Sequence, residues 1–61
     1  MAFIKIKDKK NVEAIINTDM ICMISKERNE YIMLLSSGFS DCYYHSEIKK
    51  IFDAIGESLD W

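Results

Sequence analysis

The chain has 61 residues, of which 49% are apolar, and a net charge of −2. That length sets a single domain over residues 1–61, and a domain so small buries only about 60% of its unfolded surface. No apolar run reaches the roughly 20 residues that cross a bilayer, the start alternates lysine with apolar side chains instead of forming a signal peptide, and the charge lacks the basic excess of a dedicated nucleic-acid binder.

Phe3-Ile4-Lys5-Ile6-Lys7 alternates with period two, which predicts a half-buried strand carrying Phe3, Lys5 and Lys7 on one face and Ile4 and Ile6 on the other. Asp8 to Asn11 is a polar turn. Val12 to Ile16 is a second expected strand, with Val12, Ala14 and Ile16 on one face. Asn17-Thr18-Asp19 suits a turn held by its own side chains. Met20 to Ile24 is apolar throughout and predicts a strand buried on both faces, Met20, Cys22 and Ile24 opposing Ile21 and Met23. Lys26 to Glu30 has the length of a hairpin loop. Tyr31 to Leu35 is again apolar on both faces, and Gly38 suits a positive φ before a short strand around Cys42-Tyr43-Tyr44.

The period then changes. Ile48, Ile51, Phe52, Ile55 and Leu59 fall at i, i+3, i+4, i+7 and i+11, one stripe of an amphipathic helix from Ser46 to Leu59. Ser46 suits the N-cap and Glu47 the positive end of the helix dipole. Gly56, inside that span, costs about 1 kcal/mol relative to alanine. The expected fold class is α+β: a small antiparallel sheet of four to five strands with one C-terminal helix packed on one face.

Such a helix covers one side of the sheet. The residues facing the other side have no cover in the sequence, and a large bare apolar patch is unusual on a monomer. Either the sheet curls into a barrel-like core or a second chain supplies the cover; the favoured expectation is a homo-oligomer, most simply a dimer. The expected contacts, with itself or an unknown protein partner, are Met20, Cys22, Ile24, Tyr31, Met33, Leu35, Tyr43, Tyr44 and Trp61. Of the two adjacent tyrosines, Tyr43 and Tyr44, one should be core and the other near the surface. The methionines are expected as core filler.

Lys5, Lys7, Lys9 and Lys10 give residues 1–10 a charge of +3 and are candidate anion contacts, while residues 41–61 carry −3. Lysines on an edge strand also block sheet-to-sheet aggregation. Cys42 and His45 have the spacing of half a zinc site, but no second pair completes the four ligands of a structural site. Asp41, Cys42 and His45 supply the types of a nucleophilic triad, but a strand sets residues 42 and 45 on opposite faces. No catalytic, metal or cofactor residues are assigned and no enzyme is expected. With two cysteines instead of the four or more of a disulfide framework, reduced, buried thiols and a cytoplasmic protein without membrane association are expected.

The run Ile16-Asn17-Thr18-Asp19-Met20-Ile21-Cys22-Met23-Ile24, then Tyr31-Ile32-Met33-Leu34-Leu35-Ser36-Ser37-Gly38, then a polar-aromatic strand and Ser46-Glu47-Ile48, resembles the small β-rich proteins typified by the flagellar FlbD family and part of the LytTR DNA-binding domain. The resemblance spans residues 12–55. It implies a β-meander with a serine-opened helix, and a regulatory or inhibitory role of the kind found among phage and mobile-element proteins. The leading expectation is a non-enzymatic interaction protein. The alternatives are a nucleic-acid-binding module using the four lysines, and a small-ligand site between subunits walled by Tyr43, Tyr44 and His45.

Overall fold

The computed structural model describes residues 2–60. Five strands precede one helix: β1 (Phe3–Lys7), β2 (Glu13–Asn17), β3 (Ile21–Glu27), β4 (Glu30–Leu35), β5 (Ser40–Tyr43) and α1 (His45–Ile55), with a 3-10 turn at Thr18–Met20 between β2 and β3. The α+β class holds, but the strands form two antiparallel sheets, a β1–β2 hairpin and a β3–β4–β5 meander. Ile6 and Ile16 from the hairpin, Tyr31, Met33 and Tyr43 from the meander, and Ile48 and Ile51 from the helix form one core.

Local chemistry explains the junctions. Asp8 closes the hairpin loop by accepting the N–H groups of Lys10 at 2.8 Å and Val12 at 3.0 Å, and Asn11 takes the left-handed φ of 67° that asparagine tolerates. Asn17 accepts the Asp19 N–H at 2.9 Å, so the expected side-chain turn forms. The β3–β4 loop is shorter than Lys26 to Glu30. Lys26 and Glu27 remain in β3, Glu30 begins β4, and Arg28 makes the reversal with φ 57°.

Several expectations are corrected. β2 begins at Glu13; Val12 lies before it and is exposed, so Ile16 carries the burial of that strand. Met20 to Ile24 is not buried on both faces. Met20 belongs to the 3-10 turn, and the register shifts between Ile21 and Met23, where Cys22 forms a bulge. Cys22 and Met23 are exposed as a result. Met33 is core filler, whereas Met20 and Met23 are not.

The helix is shorter than Ser46 to Leu59. Its N-cap is Tyr44, extended at φ −75°, ψ 155°, without a side-chain cap bond, which leaves Ser46 inside the first turn. Its C-cap is Gly56 at φ 78°, where a glycine avoids the Cβ penalty of the left-handed region. The Glu57 N–H returns to the Phe52 carbonyl at 2.9 Å. Leu59 packs against the core from beyond the helix, and Ile55 is exposed.

Candidate interaction surfaces

Antiparallel partners share a face. Tyr31, Met33 and Tyr43 point inward, with Ile24 opposite Met33 and Ile21 opposite Leu35. Ile32 and Leu34 therefore point outward, beside Met23, Ser25, Ser40 and Cys42. Met23 is 53% exposed, and Ile32, Leu34 and Cys42 are half-buried. This outer face is apolar in its middle and ends at Glu27 and Glu30. The helix packs on the opposite, inner side.

That geometry sorts the expected contact residues. Tyr31, Met33 and Tyr43 are buried within the single chain, and Ile24 and Leu35 pack against the same core, so the helix side consumes them. Met20, Cys22 and Tyr44 are exposed. Trp61 lies outside the described residues. Ile32 and Leu34 were missed as contacts because alternation alone does not say which face a helix will cover.

A second exposed face lies on the hairpin. Its register sets Phe3 opposite Asn17, Lys5 opposite Ile15 and Lys7 opposite Glu13. Phe3 is 65% and Ile15 69% exposed.

The four N-terminal lysines do not form one free cationic patch. Lys5 pairs with Glu13 at 3.2 Å and Lys9 with Glu30 at 3.0 Å. The Lys9 ammonium also lies 5.0 Å above the Tyr44 ring, and its backbone N–H donates to the Cys42 carbonyl at 3.1 Å. Lys9 thus fastens the hairpin loop to β5. The lysine stretch has a structural use that its charge pattern did not reveal.

The chemistry at the strand-to-helix junction is muted. His45 packs edge-on against Tyr31 with ring centroids 5.4 Å apart. Burial and the Glu30 carboxylate push the Cys42 thiol up, which disfavours the nucleophilic thiolate. Burial, with Asp41 nearby, pushes Tyr43 up as well. The Val12 N–H, with Asp41 and Lys10 adding to it, holds Asp8 below its ordinary value. No group of three or more His, Cys, Asp or Glu side chains among the described residues is placed to hold a metal. A cavity of about 160 Å³ beside Tyr44 is lined by Lys7, Asp8, Asn11, Ser46 and Glu47. Tyr43 and His45 are not among its walls.

No helix among the described residues is long and apolar enough to cross a membrane. No protein-family model matches the chain, and no curated protein and no solved structure matches it significantly.

Proposed function

We propose that this chain is a non-enzymatic interaction protein that works as a homo-oligomer, most simply a dimer, and holds a macromolecular partner as a small regulator or phage-type inhibitor. The observation that carries the partner-binding reading is the outer face of the meander, where Met23, Ile32 and Leu34 stand together on the side away from the helix, while the exposed Phe3 and Ile15 of the hairpin support self-association. An apolar patch rimmed by polar residues marks a protein-binding surface. The two free cysteines support a reducing compartment such as the cytoplasm.

Light scattering at micromolar concentration tests self-association; a clean 7.1 kDa species overturns it. For the partner, capture from the native host is compared between the wild type and Met23→Lys. A partner that binds both equally does not use this face. The nucleic-acid alternative draws less support, because Lys5 and Lys9 are engaged in ion pairs. Gel-shift retention that weakens steeply with salt would revive it.

A further inference from the structure

We infer that two copies of this chain pair antiparallel through the free edges of β2, joining their hairpins into one four-stranded sheet with its two-fold axis at Ile15. This inference rests on the homo-oligomer reading and names the surface that produces it. It leaves the outer face of the meander free for the partner.

The hydrogen-bond ladder of the hairpin fixes which backbone groups of β2 face outward. The Asp8 N–H donates to the Val12 carbonyl at 3.1 Å, and the Thr18 N–H to the Ala2 carbonyl at 2.8 Å. These bonded pairs bracket the hairpin. Bonded and non-bonded pairs alternate along an antiparallel ladder, so Lys7–Glu13, Lys5–Ile15 and Phe3–Asn17 are the non-bonded ones. Glu13 and Ile15 therefore turn their N–H and C=O groups away from β1, and Asn17 turns its N–H the same way. Lys7 has the same parity on β1, and its outward N–H is taken by Glu47 at 2.8 Å. Among the described residues nothing takes the outward groups of Glu13 and Ile15.

The other strand edges are managed. On β1, Glu47 takes the outward N–H of Lys7, and the strand carries lysines at positions 5 and 7. On β5 the Cys42 carbonyl accepts the Lys9 N–H, and β3 carries a bulge at Cys22 and a lysine at position 26. Bulges and lysines are the usual blocks against edge pairing. β2, Glu-Ala-Ile-Ile-Asn, has neither.

Side-chain complementarity selects a second copy as the occupant. With the axis at Ile15, Ile15 meets its own counterpart, and Glu13 meets Asn17 instead of another carboxylate. Ala14 meets Ile16 on the inner face, extending the apolar row begun by Ile4 and Ile6. Two Ile15–Ile15 bonds and two bonds from the Asn17 N–H to the Glu13 carbonyl close the ladder. The two Lys5 side chains stand three strand spacings apart, about 14 Å, beyond the screening length of about 8 Å. Moving the axis to Ala14 sets Ile15 against Glu13, and moving it to Ile16 sets Ile15 against Asn17.

The test compares dimer dissociation by sedimentation for the wild type, Ile15→Pro, Ile15→Lys and Met23→Lys. The Ile15 N–H makes no bond to β1, so proline there removes an outward donor that an edge strand can spare. Lysine keeps the donor but sets like charges face to face. Both variants are expected to weaken the dimer about 100-fold or more, and Met23→Lys about threefold or less. Amide exchange at Ile15 should slow about tenfold or more on dimerisation; it and Ile15→Lys decide the matter if the proline variant unfolds. A dimer that survives both Ile15 substitutions, or an Ile15 amide that exchanges freely within it, overturns the pairing and leaves self-association standing. A wild type that stays monomeric overturns both.

Discussion

The Glu47 carboxylate accepts the backbone N–H of Lys7 at 2.8 Å, tying the first turn of the helix to the last residue of β1. The same carboxylate holds the Lys50 ammonium at 2.9 Å. One acidic side chain thus orients the helix on the hairpin, across 40 residues of sequence.

This contact is titratable. The Lys50 ammonium, followed by the Lys7 N–H, holds Glu47 below its ordinary value of 4.5. A depressed carboxylate stabilises the fold above its unfolded value, and that contribution is lost as pH falls through the folded value. Glu47→Gln should cost about 1 kcal/mol at neutral pH. In urea titrations across pH, its deficit against the wild type should shrink below 4.5.

Asp8 has the same sign. Its carboxylate accepts two backbone N–H groups in the hairpin loop and lies below its ordinary value of 3.8, chiefly through the Val12 N–H. Asp8→Ala should lower the melting midpoint at neutral pH more than Asp8→Asn, which retains an accepting oxygen. For both variants the loss relative to the wild type should fade only as pH drops below 3.8 and through the lower folded value.

Gly56→Ala should destabilise by about 1 kcal/mol. Its φ of 78° lies in the left-handed region, and a Cβ there would meet nothing within 4 Å, so the cost is conformational and not steric crowding. Gly56→Asn should recover part of the loss, because asparagine tolerates that region. Thermal melts of the two variants check the order.

Ile51 and Ile55 lie one turn apart on the helix but differ in exposure, 0% against 47%. Ile51→Ala should cost about 2–5 kcal/mol, which leaves a chain of this size largely unfolded. Ile55→Ala should cost well under half as much. Urea unfolding followed by circular dichroism distinguishes them.

The elements most legible in the sequence were those with a single unambiguous period. Phe3 to Lys7 alternates strictly, so the burial of Ile6 and the exposure of Phe3 and Lys5 could be read directly. Ile48, Ile51 and Phe52 sit at helical spacing and lie on the covered side of α1. Where the period is ambiguous, burial does not follow from the sequence. Met20 to Ile24 offers no polar residue to set its phase, and the bulge at Cys22 shifts it. The serine at position 46 signalled a cap, yet the Tyr44 carbonyl opens the helix, accepting the N–H groups of Glu47 at 3.0 Å and Ile48 at 3.2 Å.

The sequence by itself determined the class of the fold, the order of its elements and the surplus of apolar faces, because hydrophobic periodicity is a local property of the chain. Only the tertiary structure decided which of those faces the helix covers. Tyr31 and Ile32 are neighbours in one apolar run, and the first is 6% exposed while the second stands on the open side. The difference arises where hairpin, meander and helix meet around a shared core, through contacts such as Glu47 to Lys7 and Lys9 to Cys42 that join residues far apart in the chain.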